Sequence, residues 1–291
     1  MEFFRIAAIL LAFISLCSGC NVQTASNQEK QNGENKERIA EDSDQNKQEF
    51  ESENDNKEIV EKQDDIELKE VVTEAVVSLQ PTYELNAANW SIKPISGETN
   101  KKVVLLTIDD APDRYSLKMA KTLKAAGVSA IFFVNGHFIQ SDEKKAILKE
   151  IYDMGFAIGN HTMTHSNLND LSEEEQFKEI VELNNQIELI IGERPRFYRA
   201  PFGSNTEYSK ELAEKEGMLL MNWTYGYDWE KDYLSKDALT DIMVNTPYLT
   251  DGANLLMHDR EWTYEALRGI VKGLQEKGYT IVDPNLIKTP K

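Results

Sequence analysis

From about residue 100 onward, short apolar runs alternate with amphipathic stretches, and this alternation restricts the fold more than any other feature of the chain. The runs 103–108, 130–134, 156–159, 197–200, 218–223, 253–257 and 279–282 have the length and composition of buried strands. Between them, 116–126, 142–154, 172–191, 206–216, 235–244 and 263–277 carry helical periodicity. Gly127, Gly155, Gly217 and Gly278 follow four of these patterns, where a left-handed residue closes a helix. Strands that alternate with helices pair in parallel beneath a helical layer, so an α/β fold is expected. Seven strands favour an incomplete (β/α)7, TIM-barrel-like barrel over an open sheet, though periodicity alone does not separate the two.

The N-terminal part follows a different logic. An apolar run over 6–16 lies behind Arg5 and ends in Cys17-Ser18-Gly19-Cys20. It is too short for a spanning helix with ordinary flanks, and 1–19 is expected to be an export signal. The small residues ahead of Cys20 resemble a bacterial lipoprotein box, which implies an acylated Cys20 at the mature N-terminus and a membrane-anchored protein facing the cell wall. Residues 21–80 hold 17 acids, 7 bases and a single aromatic, Phe50, and supply -10 of the net charge of -18. Such a composition cannot bury a core, so 20–80 is expected to be a lipidated, acidic, disordered linker with a short helix near 67–77. Its root-mean-square reach would be roughly 45 Å. The folded domain is then 81–291, expected as a monomer. It has no disulfide to lose, since Cys17 and Cys20 are the only cysteines. No cluster of Lys and Arg offers a stripe for phosphates, which argues against nucleic acid as a partner.

The run 103–108 leads into Asp109 and Asp110, at the strand mouth where α/β folds keep their chemistry. Adjacent residues of an extended chain point to opposite sides, so a bend is needed for both to face one pocket, and Pro112 suits it. His161-Thr162-Met163-Thr164-His165 sets two imidazoles four apart, which on a helical turn is ligand spacing. With Asp110 as an oxygen ligand, the set of two histidines and a carboxylate fits a hydrolytic zinc-type site or a non-haem iron oxygenase. The second acid favours hydrolysis, with Asp109 taking a proton from water while Asp110 holds the metal.

Five motifs, in order, then carry a resemblance over residues 100–285. Thr107-Ile108-Asp109-Asp110-Ala111-Pro112, His161 to His165, Arg199-Ala200-Pro201-Phe202-Gly203, Asp228-Trp229 and Leu255-Leu256-Met257-His258 resemble the motifs of the polysaccharide deacetylase family, carbohydrate esterase family 4 or NodB homology domain. The resemblance implies a distorted seven-stranded barrel and divalent-metal hydrolysis of N- or O-acetyl groups. It assigns Asp109 as base, His258 as general acid, and Asp110, His161 and His165 as metal ligands. Zinc is the first expectation, with cobalt, nickel or manganese as alternatives. Pro201, Phe202 and Trp229 would meet the substrate, Phe202 also offering a backbone N–H to the oxyanion. Arg199 would ion-pair with Asp109, and Asp228 would hydrogen-bond one ring nitrogen of His258 and raise its basicity. The competing reading of Phe202 and Trp229 is a pair of core aromatics. His137 matches no motif and is expected to be structural.

Ala111, Tyr225 and Asn254 depart from the family pattern. Ala111 would cost about 1 kcal/mol if its position needs positive φ. The implied function is deacetylation of an N-acetylated polysaccharide. Peptidoglycan N-acetylglucosamine is favoured because a tethered exported enzyme meets the wall first. Chito-oligosaccharide, poly-N-acetylglucosamine and O-acetylated xylan would use the same residues. The rivals are a wall-glycan-binding lipoprotein without turnover, which has no need of both a base and an acid, and a two-lobed solute-binding lipoprotein.

Overall fold

The computed structural model describes residues 80–290. The export signal, Cys20, the helix near 67–77 and all but the last residue of the acidic linker lie outside the described residues. An antiparallel hairpin, β1 (Tyr83–Leu85) and β2 (Ile92–Pro94), comes first and was not expected from the sequence. The alternating part follows as β3 (Val103–Ala111), α1 (Ser116–Ala125), β4 (Ile131–Val134), α2 (Asp142–Asp153) and β5 (Ala157–Asn160). Next come α3 (Glu173–Phe177) and α4 (Leu183–Ile191), then β6 (Phe197–Tyr198), α5 (Glu207–Lys215), β7 (Leu219–Leu220), α6 (Lys236–Asn245), β8 (Ala253–His258), α7 (Glu261–Glu276) and β9 (Thr280–Ile281). All seven expected strands are present. The helix expected over 172–191 is divided by a π-helical turn, Lys178–Glu182.

The strands are parallel in the order β7-β6-β5-β4-β3-β8, and β9 pairs with the start of β3. The sheet curls until the chain just past β7 reaches β8: Thr224 N–H donates to the Asn254 carbonyl and Leu256 N–H to that of Tyr225, each at 2.8 Å. The result is one distorted barrel with an irregular seam, not two lobes about a cleft.

Alternation along β3 divides the core. Val104, Leu106 and Ile108 face outward onto the helices, in one cluster with Leu123, Leu148, Ile187 and Leu267. Val103 and Leu105 face inward, packing with Ile131, Phe133, Phe197 and Met221. Tyr83 and Ile92 of the hairpin, with Val282 and Ile287, belong to that same inner cluster and close its lower end. Ile92 N–H donates to the Gly252 carbonyl at 2.7 Å. Gly252 is in the left-handed region at φ 83, and a Cβ there would lie 2.0 Å from the Ile92 carbonyl oxygen, so only glycine lets the hairpin seat. Tyr225 belongs to the outer core. It is buried, and its hydroxyl donates to the Met243 carbonyl at 2.7 Å.

Candidate active site

The inner side of β3 continues upward from Leu105 to Thr107 and Asp109, where the chemistry begins. β3 does not stop at Ile108: its register against β4 shifts between Ile108 and Ala111. Asp110 within this bulge has φ 62. A bulge turns one side chain out of the alternation, and here it brings both acids to the same cavity. The bend expected at Pro112 therefore lies inside the strand. Ala111 is not among the positive-φ residues, so the penalty expected for replacing glycine does not arise.

His161 and His165 follow β5 on an irregular loop, not on the helical turn expected from their spacing. Thr162 at φ 69 and His165 at φ 62 are both left-handed. Glu179, from the π turn, holds this loop: its carboxylate accepts from Thr164 N–H at 2.8 Å and Thr164 Oγ1–H at 2.6 Å, and its carbonyl accepts from Met163 N–H. Trp90, Asp110, Thr162, His165 and Phe202 are the non-glycine residues with positive φ among those described, and all but Trp90 belong to this mouth. Such conformations cost of order 1–3 kcal/mol each and persist only where surrounding structure imposes them.

Donor atoms of Asp110, His161 and His165 lie within 4.8 Å of one another. Ligand bonds of about 2.1 Å gather donors to roughly 4 Å apart at most, so small side-chain rotations complete a site for one divalent ion. His161 Nδ1–H donates to the Arg199 carbonyl at 2.7 Å, which leaves Nε2 free as a ligand. Burial, then the neighbouring His161, hold the His165 imidazole below its usual range despite Asp110, favouring the neutral form that a ligand needs.

Arg199 is fully buried. Its Nη1 donates to Asp109 Oδ1 at 2.6 Å and to Thr107 Oγ1 at 2.9 Å, its Nη2 donates to the Asn222 carbonyl at 2.9 Å, and its guanidinium lies 4.3 Å from the Phe133 ring centre. Burial lowers its pKa, against the opposing pull of Asp109. Asn254, a departure from the family pattern, donates to that same Asn222 carbonyl at 2.8 Å and so fixes the acceptor that Arg199 uses.

Across the mouth, His258 is the register partner of Asp109 on the neighbouring strand. Its Nδ1–H donates to Asp228 Oδ1 at 2.7 Å, while Asp228 Oδ2 accepts from His258 N–H at 2.6 Å and Thr263 Oγ1–H at 2.7 Å. Burial pulls the His258 pKa down, but Asp228 outweighs it and the net shift is upward. Asp109, Asp110, His161, His165, Asp228 and His258 line one cavity of about 630 Å³ together with Phe202, Trp223, Trp229 and Trp262. Phe202 is 69% exposed and stands edge-on to His165; Trp229 is 49% exposed beside His258. Neither is a core aromatic. Pro201 is buried and away from the cavity wall, opening the turn that presents Phe202. His137 is exposed and outside the cavity.

Sequence reasoning missed Glu179, Trp262, Asp259 and Arg260. The last two follow His258 directly. Asp259 is 2% exposed, and its carboxylate accepts from the N–H groups of Arg114, Tyr115 and Ser116, capping α1 from 143 residues away in sequence. Its own N–H donates to the Asp109 carbonyl at 3.0 Å, tying the ends of β3 and β8 together. A charged pair adjoining a motif histidine was the available signal.

The model of the polysaccharide deacetylase family matches residues 96–221. The chain is 30% identical over 204 residues to a peptidoglycan-N-acetylglucosamine deacetylase of Bacillus cereus, covering 67% of this chain and 72% of that protein. Among solved structures it is similar to the Bacillus subtilis peptidoglycan deacetylase PdaC, at 30% identity and TM-score 0.56 over 63% of this chain and 88% of that one. It is also similar to a family 4 carbohydrate esterase pseudoenzyme from Bacillus anthracis, at 31% identity and TM-score 0.57 over 62% and 63%.

Proposed function

The chain belongs to the polysaccharide deacetylase family, carbohydrate esterase family 4, and from that premise we propose that it hydrolyses the acetamide of peptidoglycan N-acetylglucosamine. It is a hydrolase of non-peptide carbon–nitrogen bonds. The observation that carries the reading is a base and an acid, each with its own charged partner, on register-paired strand ends beside three convergent ligand atoms.

Asp110, His161 and His165 would hold a divalent cation, zinc first by their donor types, which when bound supplies Lewis-acid polarisation of the acetyl carbonyl and acidifies water. Arg199 pins Asp109 Oδ1, leaving Oδ2 to accept the proton of the attacking water. Asp228 holds His258 by Nδ1, so Nε2 delivers a proton to the departing nitrogen. The left-handed turn at Phe202 offers a backbone N–H to the developing oxyanion. Phe202 beside His165 and Trp229 beside His258, both exposed, offer apolar faces to a sugar ring. Acetate and a free amino sugar leave.

The glucosamine preference rests on location and on the Bacillus cereus relative; PdaC also bears the name of an N-acetylmuramic acid deacetylase, the second reading of the same site. Acetate release from chitin oligomers and from purified peptidoglycan tests the reaction. Asp109→Asn should keep bound metal and lose on the order of 10²–10⁴-fold in turnover, whereas Asp110→Ala should lose metal and activity together. The converse pattern, by elemental analysis, reverses the assignment. Anchoring through acylated Cys20 is part of the proposal, supported by the motif Ser18-Gly19-Cys20 behind the apolar run. Mass spectrometry of the mature N-terminus should find acylated Cys20, and cleavage elsewhere without an acyl mass would remove the anchor.

A further inference from the structure

Arg260 has no part in the mechanism above, yet it touches a proposed ligand. Its Nη2 donates to Asp110 Oδ2 at 2.8 Å, and its Nη1 donates to the Asp259 carbonyl at 3.1 Å. The other oxygen of the same carboxylate, Asp110 Oδ1, lies 3.6 Å from His165 Nε2. The two oxygens of Asp110 thus face different partners, one the histidine pair and one a guanidinium. The base of Arg260 is held firmly, because Asp259 is buried with its carboxylate on the N-terminus of α1 and its N–H on the Asp109 carbonyl. The Arg260 side chain is itself 38% exposed at the cavity wall, so burial does not force it onto Asp110. Asp110 is left-handed at φ 62, a conformation that fixes its backbone but leaves the carboxylate to rotate.

We propose that Arg260 is a positioning residue for Asp110: by occupying Oδ2 it stops the carboxylate from turning and keeps Oδ1 beside His165 as the single oxygen donor. This rests on the reading of Asp110, His161 and His165 as ligands. Partners of ligating carboxylates set ligand orientation, and removing one typically weakens metal binding by about 10–100-fold. A guanidinium fits the role through its fixed fork, which here bridges a carboxylate and a backbone carbonyl; an ammonium keeps the charge and one of these bonds.

The test titrates Co²⁺ into metal-free full-length protein, following its visible absorption, for the wild type, Arg260→Ala, Arg260→Lys and Asp110→Ala. Arg260→Ala should bind Co²⁺ about 10–100-fold more weakly and show an altered band, while Arg260→Lys recovers part of the loss. The thermal midpoint of the metal-free protein should match wild type for Arg260→Ala, separating loss of positioning from loss of fold. Unchanged or tighter Co²⁺ binding by Arg260→Ala overturns the proposal, the tighter result marking Arg260 as a competitor for Asp110. Weakening that lysine does not relieve at all also overturns it. If Asp110→Ala itself binds Co²⁺ as wild type does, it is the ligand reading that fails, and the two failures are told apart.

Discussion

The lower and upper halves of the barrel interior are built from successive residues of one strand, and they have opposite characters. Below, Val103 and Leu105 join Ile131, Phe133, Phe197 and Met221 in an apolar plug closed by the hairpin. Above, Thr107 and Asp109 open onto carboxylates, imidazoles and a buried guanidinium held by specific hydrogen bonds. The left-handed residues at the mouth belong to the upper half. Conformational cost and desolvated charge are concentrated where chemistry is needed, and close-packed hydrocarbon beneath offsets them. Arg199 is the boundary, lying over Phe133 of the plug while bonding Asp109 of the site.

Substitution at that boundary should break the division most severely. Arg199→Ala would leave Asp109 buried without its partner, which costs about 3–5 kcal/mol of stability, and should abolish acetate release as well. Denaturant unfolding beside an activity assay reads both; a wild-type unfolding midpoint would show that Arg199 does not join the halves. Below the boundary, Leu105→Ala should cost about 2–5 kcal/mol through the cavity it leaves, with turnover per folded molecule unchanged. Loss of turnover at a temperature where the variant remains folded would contradict the separation.

A subtler effect is expected above the boundary, at Asp228. Burial depresses the His258 pKa, Asp228 more than restores it, and the folded value lies above the ordinary 6.5. A group raised on folding stabilises fully below its unfolded pKa, and that contribution is lost as pH rises through the folded value. The same shift keeps the acid protonated further into the alkaline range. Asp228→Asn removes the raising charge, so the basic limb of kcat/KM should move to lower pH, and the extra stability below about pH 6.5 should disappear. A basic limb that stays in place would mean that another group supplies the proton.

Much of this was legible from residue types and spacing. The seven strands follow from apolar runs of strand length and the helices from the 3.6-residue period, which are local properties of the chain, whereas the inward and outward faces of the apolar β3 run carry no such signal. Asp109, Asp110, His161, His165, Arg199, Asp228 and His258 were identifiable by motif, and they do converge on one mouth. Phe202 and Trp229 were ambiguous between core and groove, because an aromatic side chain serves either; exposure is what distinguishes them. Pro201 was grouped with its neighbours although a buried proline can only shape the turn.

By itself, then, the sequence determined which segments form buried strands and amphipathic helices and which side chains could carry acid, base and ligand roles. Tertiary structure alone decided how they aim. The bulge at Asp110 exists because β3 must meet β4 and β8 in registers that differ above Ile108. The histidine loop is left-handed because Glu179, on a π turn, and Asn160 hold its backbone from either side. Asp259 and Arg260 acquire their partners, Ser116 and Asp110, only when segments 143 and 150 residues apart are brought together. Hydrophobic periodicity is written within a few turns of chain, whereas a carboxylate's direction is set by whichever donors the folded neighbours present to it, and those neighbours have no local signature.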